Sequence, residues 1–397
     1  MARRLHETTE PRERAFLVAA EIKRGDGRAH RSAGLRRWST QASLEELALL
    51  ADTAGAQVVG YALQRLERPN RATYIGRGKV QEIASQQGSL DYTTVIFDDE
   101  LSPSQQRTLE KELEVKVLDR TALILDIFAQ HARTREGRLQ VELAQHEYIL
   151  PRLRGQWSHL ERLEGRIGTR GPGETQLETD RRLIRNRISA LKRQIEQVRR
   201  QRALHRRQRA RQGLPVVSLV GYTNAGKSTL MRTYSGADVL VEDRLFATLD
   251  PVTRRVRLPS GNMVLLTDTV GFIQKLPTQL VAAFRATLEE MTEATLMLHV
   301  VDVTHPDAVQ QAETVEATLA ELELAAKPLL TVFNKADLLI EGKGDSLEEV
   351  LKAEGSQALL EPWGADALVI SAAKGWGMEE MGRRLEASVA EAASPRA

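Results

Sequence analysis

The segment that most constrains the fold of this chain is residues 221–228, with the sequence GYTNAGKS. It follows the apolar run 216–220 and precedes 229–231, so a strand, a glycine-spaced loop and a helix start come in order. Glycines at both ends let the backbone curl until its N–H groups point at one anion. Lys227 supplies a positive charge for phosphate oxygens, and Ser228 supplies a hydroxyl for Mg²⁺. The pattern predicts a phosphate-binding loop in an α/β domain, the alternative being a plain strand–helix turn.

Two later motifs are placed to face Mg²⁺ and a γ-phosphate. Thr248, in FATLD, lies between the loop and the next predicted strands, where a switch threonine can reach both. Asp268 ends a predicted strand in DTVG, where its carboxylate can hold Mg²⁺ through water and the Gly271 N–H can face the phosphate. The predicted metal ligands are Ser228, Thr248 and Asp268. The residues predicted to act in catalysis are Lys227, Thr248 and Gly271.

Two motifs at the ends of later strands indicate which base is bound. In NKAD, Asp337 can accept hydrogen bonds from both N1–H and N2–H₂ of guanine. Adenine lacks these donors and would leave the carboxylate unpaired, which is costly. The backbone of SAAK, at 371–374, can donate to the guanine oxygen. In this order the motifs predict a domain that binds and hydrolyses GTP with Mg²⁺ and releases GDP. The residues predicted to bind the nucleotide are Gly221, Asn224, Ala225, Gly226, Lys227, Ser228, Thr229, Asn334, Lys335, Asp337, Ser371, Ala372 and Ala373.

Phe272 stands where many small GTPases carry the glutamine that orients the attacking water. A phenyl ring has no donor or acceptor with which to orient water. The sequence therefore predicts slow intrinsic hydrolysis, which a partner accelerates by supplying a group or by reordering the switch.

The chain before residue 120 alternates predicted strands, at 15–22, 57–66, 93–97 and 115–118, with predicted helices, which indicates a small parallel α/β domain. Ser43 and Glu46 form a capping-box pattern at the start of its first helix. Residues 76–79 (GRGK) suggest either a second phosphate loop or a tight glycine turn before a helix, and the incomplete spacing favours the turn. The acidic residues 98–100 suggest either a metal site or a solvated strand end, and we favour the strand end.

Two helical segments, 139–150 and 174–211, flank a loop at 164–173 that is too rich in glycine for regular structure. Apolar positions in the second segment step by four and three residues, which is typical of a seam against a partner helix. They are Ile184, Ile188, Leu191, Ile195 and Val198. The pattern predicts a helical hairpin with a glycine-rich tip.

The second helix of this hairpin is strongly basic. Thirteen Lys and Arg lie between residues 181 and 211, opposed within that stretch only by Glu196, although the net charge of the chain is only +2. A solvated helix normally mixes both signs. Such a stripe is typical of binding to a phosphate backbone, the alternative being a plain basic surface. The predicted RNA-binding residues are Gly165, Arg166, Gly168, Arg170, Gly171, Gly173, Arg199, Arg200 and Arg202.

The composition sets limits on the cell compartment. The chain has no cysteine, which excludes disulfides and thiolate metal sites and suits the cytosol. It has no apolar run of the length that a signal peptide or a membrane span needs. We expect a cytoplasmic monomer, with partial membrane association left open. The expected domains are an N-terminal α/β domain at 1–133, the hairpin at 134–212, a Ras-like GTPase domain at 213–390 and a tail at 391–397. In the GTPase domain the sequence predicts an antiparallel pair of strands at 252–258 and 262–267, later strands at 296–301, 329–333 and 368–370, and helices near residues 285, 315, 350 and 383.

The chain resembles the HflX family of translation-associated GTPases over nearly its whole length. The stretches that carry the resemblance are YIGRGK at 74–79, LDRT at 118–121, QVELA at 140–144, GTRGPGETQLE at 168–178 and DTVGFI at 268–273. The resemblance implies binding to the large ribosomal subunit and the splitting or rescue of stalled ribosomes under stress. It also implies that ATP is accepted, which the argument from Asp337 does not predict. Arg166 departs from the run of glycines that the family loop tends to carry.

Three functional hypotheses follow. In the first, a GTPase engages ribosomal RNA through its N-terminal domain and hairpin, and the large subunit stimulates hydrolysis. In the second, a regulatory GTPase acts on a protein or membrane partner, with the basic helix docked on an acidic surface. In the third, an RNA-binding scaffold holds GTP only as a structural ligand.

Overall fold

The computed structural model describes residues 12–23, 38–155, 172–210, 213–236, 245–276, 291–339, 346–352, 356, 360–364 and 367–393, with side chains throughout except at 154–155, 172–177, 203–210 and 393. The chain divides into two compact units. The first comprises Met1–Arg31, Ser39–Ile127 and Pro151–Leu177, and the second comprises Ser32–Trp38, Phe128–Leu150 and Glu178–Ala397. Within the described part of the chain, no helix is long and apolar enough to cross a membrane.

The first unit contains a four-stranded parallel sheet with the order β2-β1-β3-β4. Its elements are β1 (Arg14–Ile22), α1 (Thr40–Thr53), β2 (Gln57–Leu66), α2 (Arg77–Leu90), β3 (Thr94–Phe97), α3 (Pro103–Leu113) and β4 (Lys116–Asp119). Parallel neighbours need a long connection, and each helix provides one. The prediction of a small parallel α/β domain is confirmed.

The predicted capping box at the start of α1 is wrong. The helix begins earlier, at an N-cap Ser39 whose side chain accepts from the Ala42 N–H at 2.9 Å. Ser43 is buried instead, and its hydroxyl donates to Asp98 at 2.6 Å. Glu46 is also buried and pairs with the guanidinium of Arg120. A charge buried as deeply as that of Arg120 must be compensated by anions, and this need overrides the local capping pattern.

The same pairing corrects the prediction for the acidic residues after β3. Asp98 is only 1% exposed and accepts from Arg120 at 2.7 Å, so this part of the strand end is not solvated. The motif at 76–79 forms a turn and the start of α2, because Gly76 is the N-cap and its N–H donates to Gln64 at 2.8 Å. Lys79 pairs with Glu82 at 2.7 Å, on its own helix.

Three helices follow: α4 (Arg120–His131), α5 (Arg135–Ile149) and α6 (Pro172–Ala210). The predicted apolar seam is present, because α5 packs on α6 through a small core. Its members are Leu139, Leu143, Ile188 and Leu191, with Leu150, Ile184, Ile195 and Val198 packed against them. Gly173, predicted in the loop, lies in the first turn of α6, where Pro172 suits the N-terminal position. The predicted tip at 164–171 lies outside the described residues.

The second unit contains a five-stranded sheet with the order β6-β7-β5-β8-β9. Its strands are β5 (Val216–Gly221), β6 (Val252–Arg257), β7 (Met263–Asp268), β8 (Leu296–Asp302) and β9 (Leu329–Asn334), and its helices are α7 (Lys227–Ser235), α8 (Ala308–Glu321), α9 (Leu347–Lys352) and α10 (Met378–Ala393). As predicted, β6 pairs antiparallel with β7 and the other neighbours are parallel. The predicted strand at 368–370 is wrong, since only Val369 bridges to Phe333. A helix predicted near residue 285 lies in a part of the chain that is not described.

The parallel strands of this sheet bring the sequence motifs together. β5 ends at Gly221, β7 at Asp268 and β9 at Asn334. Because parallel strands end on the same edge of a sheet, the segments that follow them converge there.

Candidate functional site

The loop between β5 and α7 is held in one shape by its two outer glycines. Gly221 has φ +153°, and a Cβ on it would collide with the Val300 carbonyl oxygen. Gly226 has φ +92°, and a Cβ there would collide with Asn334 Nδ2. Any side chain would be strained and crowded at either position. The loop therefore owes its curvature to these two glycines.

Lys227 lies in the first turn of α7 with its ammonium group buried under the loop. Its Nζ donates to the carbonyls of Gly221 at 3.1 Å and Tyr222 at 2.7 Å. Burial lowers the pKa of Lys227 to about 8; Asp268 opposes this shift and Lys335 adds to it. The loop thus holds a poorly solvated cation whose hydrogen-bond partners, among the residues that the structure describes, are two carbonyls, and this favours an incoming anion.

Three predicted metal ligands meet at one point. Ser228 Oγ lies 2.7 Å from Thr248 Oγ1 and donates to Asp268 Oδ2 at 2.6 Å. Asp268 is fully buried, and its Oδ1 has no hydrogen-bond partner among the residues that the structure describes. Burial raises the pKa of Asp268, and Lys227 opposes the shift. Clustered oxygen donors with one oxygen left over suit a hard cation such as Mg²⁺.

Backbone hydrogen bonds join the segment that contains Gly271 and Phe272 to the phosphate loop. Thr223 donates its N–H to the Phe272 carbonyl at 2.7 Å, and Phe272 donates its own N–H to Gly221 at 3.1 Å. A Cβ on Gly271 would lie 3.1 Å from Lys227 Nζ, so Gly271 borders the ammonium group. The Phe272 ring is buried, 3% exposed. It therefore contributes packing on this side of the cleft.

Asn334 joins two loops on the side predicted to hold the base. Its amide donates to the Ala225 carbonyl at 2.9 Å and accepts from the Ala372 N–H at 2.9 Å. Asp337 accepts from the Ser371 hydroxyl at 2.5 Å, which orients its carboxylate. Asn334 therefore acts as a brace between the phosphate loop and residues 371–374.

One cleft is lined by six of the thirteen predicted nucleotide-binding residues, together with Thr248 and Gly271. The predicted residues that line it are Asn224, Gly226, Lys227, Ser228, Thr229, Thr248, Gly271 and Lys335. The remaining predicted residues are not among those that line it: Gly221, Ala225, Asp268, Asn334, Asp337, Ser371, Ala372 and Ala373. The cleft is also lined by residues that the sequence did not single out: Thr223, Phe246, Ala247, Thr269 and Leu338.

The predicted RNA-binding arginines of α6 are partly neutralised. Arg199 and Arg200 both contact Glu196 at 3.4 Å, and Arg202 contacts Glu136 of α5 at 3.0 Å. Helix α5 supplies further carboxylates that oppose α6, in the pairs Arg187–Glu142 and Lys192–Glu147. Glu196 is therefore not the only acid that faces the stripe. The predicted residues Gly165, Arg166, Gly168, Arg170 and Gly171 lie outside the described part of the chain.

Another set of arginines on α6 keeps its charge exposed. Arg182, Arg185 and Arg193 are exposed and make no ion pair with any residue that the structure describes. Their spacing of three and eight residues places them on one face of the helix. We call this set the arginine face. Sequence counting included these residues but did not separate them from their paired neighbours.

A mostly parallel sheet with a phosphate loop after one strand, clustered Ser, Thr and Asp oxygens and an NKAD segment defines a P-loop GTPase. Comparison with protein-family models agrees. Residues 41–129 match a model described as GTP-binding GTPase N-terminal, 131–209 match GTP-binding GTPase Middle Region, and 216–335 match 50S ribosome-binding GTPase.

Similar proteins give the family. The chain is 52% identical to the GTPase HflX of Alkalihalophilus pseudofirmus, over 82% of this chain and 74% of that protein. It is 50% identical to the GTPase HflX of Caldanaerobacter subterraneus, over 84% and 75% of the two chains, and 49% identical to that of Escherichia coli, over 75% and 70%. The chain belongs to the HflX GTPase family, and its substrate is GTP. The predicted family, fold class and enzyme class are confirmed.

Proposed function

We propose that this GTPase binds the large ribosomal subunit, that contact with ribosomal RNA accelerates GTP hydrolysis, and that the cycle splits or rescues stalled ribosomes. The observation that carries the proposal is the arginine face, Arg182, Arg185 and Arg193, which lies in the same compact unit as the nucleotide cleft. Exposed, uncompensated arginines along one helix suit a phosphate backbone. The family model for residues 216–335 is described as a 50S ribosome-binding GTPase, which supports the large subunit as the partner.

In the cleft, we assign the phosphates to the loop at 221–228. The Lys227 ammonium, held by two carbonyls, would turn to the β- and γ-phosphates. Ser228, Thr248 and Asp268 would hold Mg²⁺, which supplies charge neutralisation to the phosphates when bound. The Gly271 N–H would face the γ-phosphate.

Guanine would lie against Asp337, whose orientation Ser371 fixes. The buried Phe272 ring leaves the attacking water without a side chain to orient it from that position. Hydrolysis would therefore be slow until a partner holds the switch segments in place.

The domains divide this work in the proposal. Residues 1–133 and 134–212 engage RNA, and residues 213–390 bind and hydrolyse GTP. The arginine face and Arg199, Arg200 and Arg202 contact phosphates, and the glycine-rich tip enters a narrow RNA site that larger side chains would not fit.

The test compares two double charge reversals. Arg185→Glu/Arg193→Glu should weaken co-sedimentation with purified large subunits and reduce the slope of log K against log salt by about two, one unit per lost phosphate contact. Arg383→Glu/Arg384→Glu makes the same charge change on α10 and serves as the control. GTP affinity should stay near that of the wild type in both.

The same preparations separate the alternatives. GTP turnover is measured with large subunits, with small subunits and with neither, and splitting is followed on sucrose gradients. Unchanged co-sedimentation of the Arg185/Arg193 variant would overturn the assignment of the arginine face. Partner binding that survives RNase would favour a protein or membrane target, and undetectable turnover in every mixture would favour the scaffold.

A further inference from the structure

The segment that carries Thr248 is anchored at its far end by Asp250. The Asp250 carboxylate accepts from the N–H of Arg133 at 2.8 Å, from the N–H of Thr134 at 2.7 Å and from the Thr134 hydroxyl. Thr134 is the N-cap of α5. A residue two positions after a predicted Mg²⁺ ligand therefore binds the N-cap residue of a helix, 116 positions earlier in the chain.

The near end of the same segment is anchored on the phosphate loop. Phe246 adopts φ +58°, and its N–H donates to Thr223 Oγ1 at 3.0 Å. Its ring packs edge-on against Phe128 of α4, with centroids 4.7 Å apart. Thr248 thus lies between two fixed points, one on the phosphate loop and one on the α4–α5 junction.

Asp250 is packed closely against the first turn of α5. A Cβ on Gly137 would collide with Asp250 Oδ1. Carboxylates are stabilised at helix N-termini by the free N–H groups and the helix dipole. Asp250 is thus held by close packing as well as by charge.

The first turn of α5 also contacts the basic helix. Glu136, two residues after the N-cap, is buried and pairs with Arg202 of α6 at 3.0 Å. One helical turn therefore touches the Thr248 segment through Thr134 and the basic helix through Glu136.

We propose that Asp250 is a positioning residue for GTP hydrolysis. By binding Arg133 and the N-cap residue Thr134 it holds Thr248 beside Ser228 and Asp268, and it links that arrangement to the seating of α5 on α6. The link is reciprocal: the free energy by which Thr248 at the cleft stabilises the seating of α5 on α6 equals that by which this seating stabilises Thr248. Only the stimulation by ribosomal RNA rests on the proposed function above; the effect of Asp250 on intrinsic hydrolysis does not.

The test begins with intrinsic turnover of the full chain without ribosomes. Asp250→Ala should lower kcat about 10- to 100-fold, as expected when a catalytic group loses its position by about an ångström. The Kd for GDP should stay within about twofold of the wild type, because the loop and Asp337 are untouched. Asp250→Asn keeps one acceptor oxygen, so its kcat should lie between those of the wild type and Asp250→Ala. Asp307→Asn is the matched control: Asp307 is the N-cap of α8, and its side chain makes no capping hydrogen bond.

A normally folded Asp250→Ala protein with unchanged kcat would overturn the proposal. If this variant does not fold, Gly137→Ala gives an independent measurement, since it displaces the carboxylate while leaving Asp250 in the chain. Hydrogen exchange on the wild type adds a readout that a purely structural cap would not move. The amides of Arg133 and Thr134 should exchange more slowly with a non-hydrolysable GTP analogue than with GDP, and equal exchange would refute the coupling.

Large subunits then separate this inference from the proposed function. If they do not stimulate the wild type, the proposed function fails, while a low kcat of Asp250→Ala without ribosomes still supports the positioning role. If they stimulate Asp250→Ala by the same factor as the wild type, the coupling fails and the proposed function stands.

Discussion

Replacing Asp337 with asparagine should shift the preference of the cleft from guanine to xanthine. Asp337 accepts from Ser371 at 2.5 Å and keeps acceptor capacity for two base donors, N1–H and N2–H₂ of guanine. Asparagine presents one acceptor and one amide donor, so it cannot accept both. Xanthine carries a carbonyl in place of the N2 amine, and this oxygen can accept from the asparagine amide.

The size of the effect follows from the hydrogen bonds that change. A hydrogen bond to a charged group contributes about 1.5–3 kcal/mol and a neutral one about 0.5–1.5 kcal/mol, so losing one bond and replacing the other by a neutral bond costs GTP roughly 2.5–4.5 kcal/mol. That corresponds to a decrease in affinity of about 10²- to 10³-fold. The Ser371 hydroxyl can still donate to the asparagine oxygen, so the side chain should keep its orientation.

The assay measures Kd and turnover for GTP, XTP and ATP in the wild type and in Asp337→Asn, with Asp307→Asn as a control in the same unit. In the wild type, ATP should bind more weakly than GTP by a similar factor, because adenine lacks both donors. Comparable affinities of the wild type for ATP and GTP would refute the reasoning. So would an Asp337→Asn protein that binds GTP within about tenfold of the wild type.

Two further predictions concern the phosphate side. Lys227→Met should abolish GTP binding yet stabilise the nucleotide-free protein at pH 7 by up to roughly 3 kcal/mol, since burial lowers the pKa of Lys227 from 10.5 to about 8. Between these two pKa values the unfolded chain binds more protons than the folded one, so the free energy of unfolding of the wild type should rise from about pH 8 towards pH 10.5. Urea unfolding of the wild type and of Lys227→Met at pH 7 and pH 10 measures both effects. A Lys227→Met protein less stable than the wild type at pH 7 would contradict the reasoning. Chelation of Mg²⁺ should stop turnover, and Ser228→Ala should raise the Mg²⁺ concentration for half-maximal turnover about tenfold, the equivalent of one lost contact. An unchanged Mg²⁺ titration would remove Ser228 from the ligand set.

Much of the fold was predictable because local pattern and tertiary role agree. Strand β2 has the bounds that its sequence predicts, and the seam of α6 packs as its four- and three-residue steps require. Sequence-based prediction failed where a residue far away in the chain determines the contacts of a side chain. Ser43 and Glu46 match a capping pattern, yet the buried guanidinium of Arg120 recruits Glu46, and Asp98 takes the Ser43 hydroxyl.

The same distinction applies to the site. The motifs on the strand ends were predictable because the spacing of Gly221, Gly226 and Lys227 follows from the backbone geometry that a phosphate needs. The pairing of α6 with Glu136, Glu142 and Glu147 was not, because these glutamates lie on α5 and carry no local pattern. The contact of Asp250 with Thr134 has no local pattern either, since it depends on where α5 begins.

The burial of Phe272 and the anchoring of Asp250 together limit how a partner can accelerate hydrolysis. A partner can deliver a side chain to the water, or it can hold Thr248 in place. To deliver a side chain, the partner must reach the cleft, whereas to hold Thr248 in place it needs only to fix α5 and α6. In the proposed function an RNA binds on the basic side of α6. Because the first turn of α5 contacts both Asp250 and Arg202, RNA bound on α6 can restrict Thr248 without entering the cleft. Stimulation by this route should depend on Asp250 and on the arginine face together, so each substitution should have little further effect once the other is present.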